Sequence, residues 1–206
     1  MQWLHPIPKN TYHEYCHNVY SQNGEDGILK VILDCLKINS GTFCEFGAGD
    51  GILSSNTYNL IKNSGFTGMA IESDRERYLK CVENYKMYPN VSVHHGSVLY
   101  YNDEYDLNAW LTRGNLPIDL DILSIDIDSD DYHVWLGVTK FSPKIVVFEV
   151  NSYRDPVFEE LNNKPSNEYN VDLLRELKPD RIALGCSFIC GIKLGLQKGY
   201  IPISFT

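Results

Sequence analysis

Apolar residues recur along this chain at two spacings, and the two spacings alternate. Runs with strand character lie at residues 42–46, 67–72, 91–95, 121–128, 144–150 and 200–205. Runs with apolar residues at helical spacing lie at residues 27–36, 56–63, 74–85, 107–112 and 187–198. Strands that alternate with helices are typical of a mostly parallel sheet with helices on both faces. The pattern therefore predicts an α/β fold of the doubly wound, Rossmann-like kind.

The same pattern predicts how the chain is organised. Residues 1–20 contain aromatic residues and proline without a clear period, so we expect an irregular N-terminal arm, and residues 21–206 then form one domain. No apolar run approaches the roughly 20 residues that cross a bilayer. The first residues also lack the basic and apolar regions of a secretory signal. We therefore expect a cytoplasmic protein without a membrane span.

The net charge of the chain indicates whether a nucleic acid is an expected partner. The formal net charge is -9, and the lysine and arginine residues are scattered along the chain. An acidic surface repels phosphate backbones, so we do not expect a nucleic-acid partner.

A glycine-rich turn (residues 47–51) directly follows the first predicted strand. Glycines there let the backbone turn sharply and approach a ligand closely. A dinucleotide fingerprint needs a further glycine where Ile52 stands, and the acids Glu45 and Asp50 suit a cationic ligand end better than a pyrophosphate. Glu72 ends the second strand, where a carboxylate can accept both hydroxyls of a ribose. Together these features predict an adenosine-containing cofactor and disfavour an NAD-dependent oxidoreductase.

Several motifs in fixed order carry a family resemblance. They are Ser21-Gln22-Asn23-Gly24-Glu25-Asp26-Gly27, Phe43 to Gly51, Ser55-Asn56-Thr57, Gly65-Phe66-Thr67-Gly68, Ile71-Glu72, Leu123 to Asp128, and Phe148-Glu149-Val150-Asn151. From about residue 20 to its end the chain resembles FkbM-like S-adenosylmethionine-dependent methyltransferases. It is especially similar to methyltransferase domains in multidomain glycan-building proteins of large DNA viruses, which methylate a deoxysugar.

The resemblance implies a class I methyltransferase that uses S-adenosylmethionine and releases S-adenosylhomocysteine. It implies cofactor contacts from Gln22, Glu45, Gly47, Ala48, Gly49, Asp50, Asn56, Glu72, Ser97 and Asp126. Within this set, Glu45, Gly47 and Asp50 frame the methionine part. Glu72 holds the ribose, Ser97 lies near the adenine, and Gln22 or Asn56 helps to close the pocket. Methyltransferase folds of this kind usually end in a seventh, antiparallel strand after the sixth. Either this chain lacks that strand, or the sequence is trimmed before it, or the count of strands from the pattern is off by one. For a viral domain the expected location is the host cytoplasm, and other domains of a longer chain are expected partners.

Acidic residues gather where the fourth and fifth predicted strands end. Asp126, Asp128 and Asp130 occupy alternate positions, which share one face if the strand continues. Glu149 and Asn151 end the neighbouring strand, so the two groups should converge. Oxygen ligands of this kind suit Mg²⁺ or Mn²⁺, and we hypothesise a metal held by some of Asp126, Asp128, Glu149 and Asn151.

A sugar hydroxyl must lose its proton to attack a methyl group, which requires either such a metal or a general base. The metal-free alternative assigns the base to Asp126, Asp128 or His133. Tyr153, Arg154 and Asp155 in the following loop are candidate acceptor contacts.

The favoured function is O-methylation of a sugar hydroxyl, with a rhamnose-type deoxysugar of a glycan as the acceptor. One alternative is O-methylation of a small phenol, lipid or protein group by the same fold. Another is a non-catalytic cofactor-binding module of a larger glycosyltransferase, although a scaffold has no need to gather carboxylates.

Overall fold

The computed structural model describes residues 12–128, 130–151 and 185–204. Its five strands are β1 (Thr42–Phe46), β2 (Thr67–Glu72), β3 (Val91–His95), β4 (Ile122–Ile125) and β5 (Ile145–Phe148). Its helices are α1 (Glu25–Leu36), α2 (Tyr58–Ser64), α3 (Arg75–Tyr85), α4 (Leu107–Arg113), α5 (Asp131–Gly137) and α6 (Phe188–Gln197), with a 3₁₀ turn at Tyr12–Tyr15. None of the helices in these described ranges is long and apolar enough to span a membrane.

All strand pairs of the sheet are parallel, and the strand order is β3-β2-β1-β4-β5. The chain moves outward from β1 to β3 and then returns past β1 to form β4 and β5. Phe46 at the end of β1 is paired with Ile71 on one side and Ile125 on the other. The switch point of the sheet therefore lies between the carboxyl ends of β1 and β4, where ligands bind in such folds. We call this side of the sheet the carboxyl edge.

Two hydrophobic cores cover the two faces of the sheet. Side chains of a strand alternate between faces, so Phe43 packs with α1, α2 and α3 while Cys44 packs with α4, α5 and α6. Both residues are fully buried. The prediction of a doubly wound parallel sheet between two helix layers is therefore confirmed.

The opposite, amino edge of the sheet is held by a buried carboxylate. Asp121, just before β4, accepts hydrogen bonds from the Thr42 N–H of β1 and from the Lys144 ammonium before β5, both at 2.7 Å. One side chain thus ties together the starts of three neighbouring strands. Burial acts to raise the pKa of Asp121, but the bonds from Lys144 and Thr42 outweigh it and hold that pKa below its ordinary value.

The segment that leads into α1 is organised by Asp26. Its Oδ2 accepts the backbone N–H groups of Val19, Tyr20 and Ser21 at 2.7–2.8 Å. The Ser21 hydroxyl in turn accepts the Asp26 N–H at 3.1 Å. This reciprocal bonding fixes residues 19–21 against the first turn of α1.

Three sequence predictions differ from the structure. The fourth strand ends at Ile125 instead of residue 128, because the backbone turns away and reaches a φ of +62° at Asp128. The next residues form α5, which the periodic pattern did not predict. The predicted final strand is wrong over residues 200–204, because the Tyr200 N–H bonds back to the Gly195 carbonyl of α6 and its ring packs on Trp135.

Candidate cofactor and active site

The glycine-rich turn crosses the switch point in contact with the loop after β4. The N–H groups of Gly47 and Ala48 both donate to the Ile71 carbonyl of β2 at 3.1 Å. Gly47 has a φ of +75°, and a Cβ built on it would lie 1.7 Å from the carbonyl oxygen of Asp126. Only glycine fits there, because any side chain would force the two loops apart.

Glu72 lies beside the turn with its carboxylate almost fully buried. Oε2 accepts the Gly49 N–H at 2.7 Å, and Oε1 accepts the Asp74 N–H at 2.7 Å. Each carboxylate oxygen has two lone pairs. Oε1 also accepts the Ser73 hydroxyl in a long bond of 3.4 Å. The two backbone bonds fix the carboxylate in place. They leave one acceptor position on Oε2, and a second on Oε1 wherever the Ser73 hydroxyl turns away, as a pair of ribose hydroxyls would require.

Glu45 is buried too, but its carboxylate is occupied inside the protein. It accepts the Asn56 N–H at 2.8 Å and the hydroxyls of Ser55 and Thr57 at 2.9 and 2.6 Å. Burial raises the pKa of Glu45, and these three bonds oppose that rise. The Asn56 amide reaches across to the Ser124 hydroxyl of β4 at 3.1 Å. Glu45 therefore shapes the loop before α2, and its predicted contact with the cofactor stays a prediction, as does that of Asn56.

Asp50 shapes the end of the turn in a similar way. Its Oδ1 accepts the N–H groups of Ile52 and Leu53 at 2.9 and 2.8 Å, which closes a tight local turn. The Gly51 N–H donates to the Ala48 carbonyl at 2.8 Å. Of the amides from residue 47 to residue 53, all within the described chain, only that of Asp50 donates to no protein atom.

Three carboxylates meet at the carboxyl edge next to this turn. Asp126, Asp128 and Glu149 each offer an oxygen, and these oxygens lie within 4.8 Å of one another. The Asp128 N–H donates to Glu149 at 3.1 Å, which links the loop after β4 to the end of β5. We call these three residues the acidic cluster.

The acidic cluster is electrostatically strained. Burial, together with the nearby carboxylates of Asp131, Asp126 and Asp128, raises the pKa of Glu149 to about 9. Burial and Asp128 likewise raise the pKa of Asp126, and Glu25 at the start of α1 contributes. Glu25 belongs to the first motif of the resemblance, but the sequence gives it no role in the site, because only the fold brings α1 to the carboxyl edge.

The face that alternate positions were predicted to share does not extend to Asp130. The strand ends at Ile125, and Asp130 instead precedes α5 as a buried residue outside the acidic cluster. Asn151 lies just beyond β5, where its N–H donates to the Cys186 carbonyl at 2.9 Å.

The other predicted site residues lie in several places. His133, in the first turn of α5, stacks on the Tyr100 ring at 4.6 Å and meets Tyr132 edge-on at 5.5 Å. Ser97 and Gln22 have exposed side chains, and the Ser97 carbonyl accepts the Trp110 indole N–H at 3.1 Å. The predicted acceptor contacts Tyr153, Arg154 and Asp155 lie outside the described residues.

No protein-family model matches the sequence, and a comparison with curated proteins gives no match. Solved structures with a similar arrangement include a candidate sarcosine dimethylglycine methyltransferase from Galdieria sulphuraria, at 14% identity and a TM-score of 0.40, over 56% of this chain and 40% of that one. An RNA methyltransferase from Salinibacter ruber, solved with S-adenosyl-L-homocysteine, is 17% identical with a TM-score of 0.31, over 47% of this chain and 55% of that one. A SAM-dependent methyltransferase from Geobacter sulfurreducens, also solved with S-adenosyl-L-homocysteine, is 15% identical with a TM-score of 0.32, over 57% of this chain and 43% of that one.

The matched part of this chain thus spans about half the length of these structures or less. Likeness at such low identity and TM-score is confined to the arrangement of strands and helices. The fold class therefore rests on the strand order itself, and the function has to be argued from the residues of the site.

Proposed function

We propose that this chain is an S-adenosylmethionine-dependent O-methyltransferase that acts on a sugar hydroxyl. The observation that carries the proposal is the Glu72 carboxylate, which is fixed by the Gly49 N–H at the switch point of the sheet. This buried carboxylate has one acceptor position left on Oε2 and one on Oε1 that only the long Ser73 bond occupies, which suits the two hydroxyls of a ribose. An adenosine-containing cofactor would then extend along the glycine-rich turn toward Asp126.

The hydrogen bonds of the turn favour a cofactor without a pyrophosphate. A turn that binds a pyrophosphate presents its amides to the phosphate oxygens. Here six of the seven amides from residue 47 to residue 53 already donate to protein acceptors. S-adenosylmethionine needs far fewer amide donors, and its positive sulfonium and ammonium groups suit an edge that carries Glu25, Asp126 and Asp128.

Asp126 is the first candidate for the general base. Its backbone adjoins Gly47, so the side chain lies beside the turn along which the cofactor would bind. In the proposed reaction the acceptor oxygen attacks the methyl carbon, the bond between carbon and sulfur breaks, and the hydroxyl proton passes to the carboxylate. Positioning the three atoms in line supplies much of the rate. His133 is the second candidate, since it belongs to the helix that follows the acidic cluster.

The acidic cluster also fits a divalent cation by the chemistry of its donors. Its ligand atoms are all carboxylate oxygens, which Mg²⁺ and Mn²⁺ prefer. Asp126, Asp128 and Glu149 would hold the ion, with Asn151 as a further candidate. A bound cation would lower the pKa of the acceptor hydroxyl. Loss of turnover in EDTA with recovery in Mg²⁺ supports this part of the proposal. Turnover that EDTA does not change would indicate a metal-free reaction in which a carboxylate is the base.

A methyl-transfer assay tests the proposal directly. Labelled S-adenosylmethionine is incubated with rhamnose-type glycosides, and with simple phenols as the competing acceptor class. We expect label in the glycoside and none in the phenol. Asp126→Asn should lose turnover, whereas Asp119→Asn should retain it, because Asp119 is exposed at the amino edge. Cofactor binding without turnover on any acceptor would instead favour the non-catalytic module.

A further inference from the structure

The glycine-rich turn is held from behind by two consecutive residues at the end of α3. The Asn84 amide donates to the Asp50 carbonyl at 2.9 Å, and the Tyr85 hydroxyl donates to the Gly51 carbonyl at 2.7 Å. Two successive peptide carbonyls of the turn are thereby bonded to successive side chains of one helix. We call this pair of hydrogen bonds the α3 brace.

The buried member of the brace is well suited to act as a permanent donor. Tyr85 is 2% exposed, and its ring stacks parallel to that of Tyr58 at 5.8 Å. Burial and the nearby Glu45 raise the pKa of Tyr85, so the phenol keeps its proton throughout the neutral range. A buried carbonyl that loses such a donor pays a desolvation penalty, so this bond strongly favours one position of the turn.

Packing restricts the turn to the same position. Gly51 has a φ of +84°, and a Cβ built on it would lie 2.8 Å from both Cys81 Sγ and a ring carbon of Tyr85. The turn therefore lies directly against α3 without room for a side chain between them. This also gives a reason for the glycine at position 51, which a dinucleotide fingerprint does not require.

The brace acts on the same short segment as the carboxylate that would bind the ribose. The Gly49 N–H is bonded to Glu72, and the Gly51 N–H closes onto Ala48. A turn that loses its bonds to α3 can shift Gly49 relative to Glu72. We propose that Asn84 and Tyr85 are positioning residues that fix the glycine-rich turn against Glu72 and so set the affinity for the cofactor. This inference rests on the proposed function, and neither residue needs to touch the cofactor.

The matched test uses two tyrosines of one aromatic cluster. Tyr85→Phe removes the hydroxyl of the brace and keeps the ring. Tyr88→Phe is the control, because that hydroxyl lies 3.5 Å from the Tyr58 hydroxyl and makes no bond to the turn. We expect Tyr85→Phe to weaken binding of S-adenosylhomocysteine about three- to tenfold, as the loss of one hydrogen bond implies. Tyr88→Phe should stay within about twofold of the wild type, which is less than the loss of a full hydrogen bond.

Asn84, the second residue of the α3 brace, is tested with a matched control of its own. Asn84→Ala should weaken binding in the same direction, whereas Asn63→Ala should not, because the Asn63 amide bonds only within α2, to Asn59. The double variant of Asn84 and Tyr85 should lose less affinity than the two single losses combined, since both residues act through one turn.

Hydrogen exchange without any ligand separates the brace from the proposed function. In Tyr85→Phe the Gly49 and Gly51 amides should exchange faster than in the wild type, and in Tyr88→Phe they should not. If the wild type binds no S-adenosylhomocysteine, the proposed function is wrong. The exchange rates alone then show whether the α3 brace holds the glycine-rich turn in place. If exchange and affinity in Tyr85→Phe both match the wild type, or if only its melting temperature falls, Tyr85 merely packs and the inference is wrong.

Discussion

Alanine substitution of Gly49 distinguishes a glycine that is needed for ligand binding from one that is needed only for its backbone conformation. Gly49 has a φ of +58°, and a methyl group built on it meets no protein atom within 4 Å. Gly65, at the end of α2, has the same left-handed backbone at +65° and the same open surroundings. Gly47 has a similar φ, but its methyl group would collide with the Asp126 carbonyl at 1.7 Å. Alanine substitutions of Gly47, Gly49 and Gly65 therefore each add a methyl group to left-handed backbone, and they differ in the atoms that this methyl group contacts.

The structure gives the expected size of each effect. A left-handed L-residue costs about 1–2 kcal/mol, so Gly49→Ala and Gly65→Ala should each lower the free energy of unfolding by about that amount. Gly47→Ala adds a clash with rigid backbone, typically about 1–3 kcal/mol more. Of the two glycines with open surroundings, Gly49 and Gly65, only Gly49 adjoins the proposed cofactor position. Its methyl group should raise the Kd for S-adenosylhomocysteine about tenfold or more, which corresponds to about 1.4 kcal/mol.

Urea unfolding and calorimetric titration measure the two quantities separately. We expect Gly49→Ala and Gly65→Ala to be equally stable and only Gly49→Ala to lose affinity. Unchanged affinity in Gly49→Ala would refute the inference that the open side of this glycine faces the cofactor. An equal loss of affinity in Gly65→Ala would show that the effect follows from general destabilisation.

Three further substitutions test other parts of the structure. Asp121→Asn should lower the free energy of unfolding at pH 7 by about 1–3 kcal/mol, because it weakens the bond to Lys144. Since the folded state depresses the pKa of Asp121, this difference should shrink as the pH falls below about 4, and a pH-independent difference in urea unfolding would contradict it. Glu72→Gln should raise the Kd for S-adenosylhomocysteine about tenfold or more in calorimetric titration, since an amide nitrogen accepts no hydroxyl. Asp126→Asn should lower kcat about 10²- to 10⁴-fold in the methyl-transfer assay, and a kcat equal to that of Asp119→Asn would remove Asp126 from the base role.

The sequence predicted the first three strands closely. The bounds of β1, β2 and β3 agree with the predicted runs, because in each a β-prone stretch lies between residues that favour turns. The pairing of β4 with β5 was also predicted, and it is what brings Asp126 and Asp128 close to Glu149. Alternating apolar residues misled the prediction at residues 126–128, where Ile127 continues the strand pattern although the strand has ended.

Long-range hydrogen bonds were beyond the reach of the sequence pattern. Nothing in the spacing of residues shows that Glu45 is satisfied by the loop before α2, or that Tyr85 bonds the carbonyl of Gly51. These bonds join residues far apart in the chain, and they depend on how helices pack on the sheet. The motif containing Ser55 and Thr57 belongs to the family resemblance, and the structure supplies its physical reason, since both hydroxyls donate to Glu45.

Isothermal titration of the purified wild-type protein with S-adenosylhomocysteine, with NAD⁺ titrated in parallel, tests the central claim most directly. The proposed site predicts saturable binding of S-adenosylhomocysteine at one site per chain and no binding of NAD⁺. The internally bonded amides of the glycine-rich turn are the reason for the second expectation. Binding of NAD⁺ without S-adenosylhomocysteine would contradict the assignment of Glu72 and the glycine-rich turn to a methyl-donor cofactor.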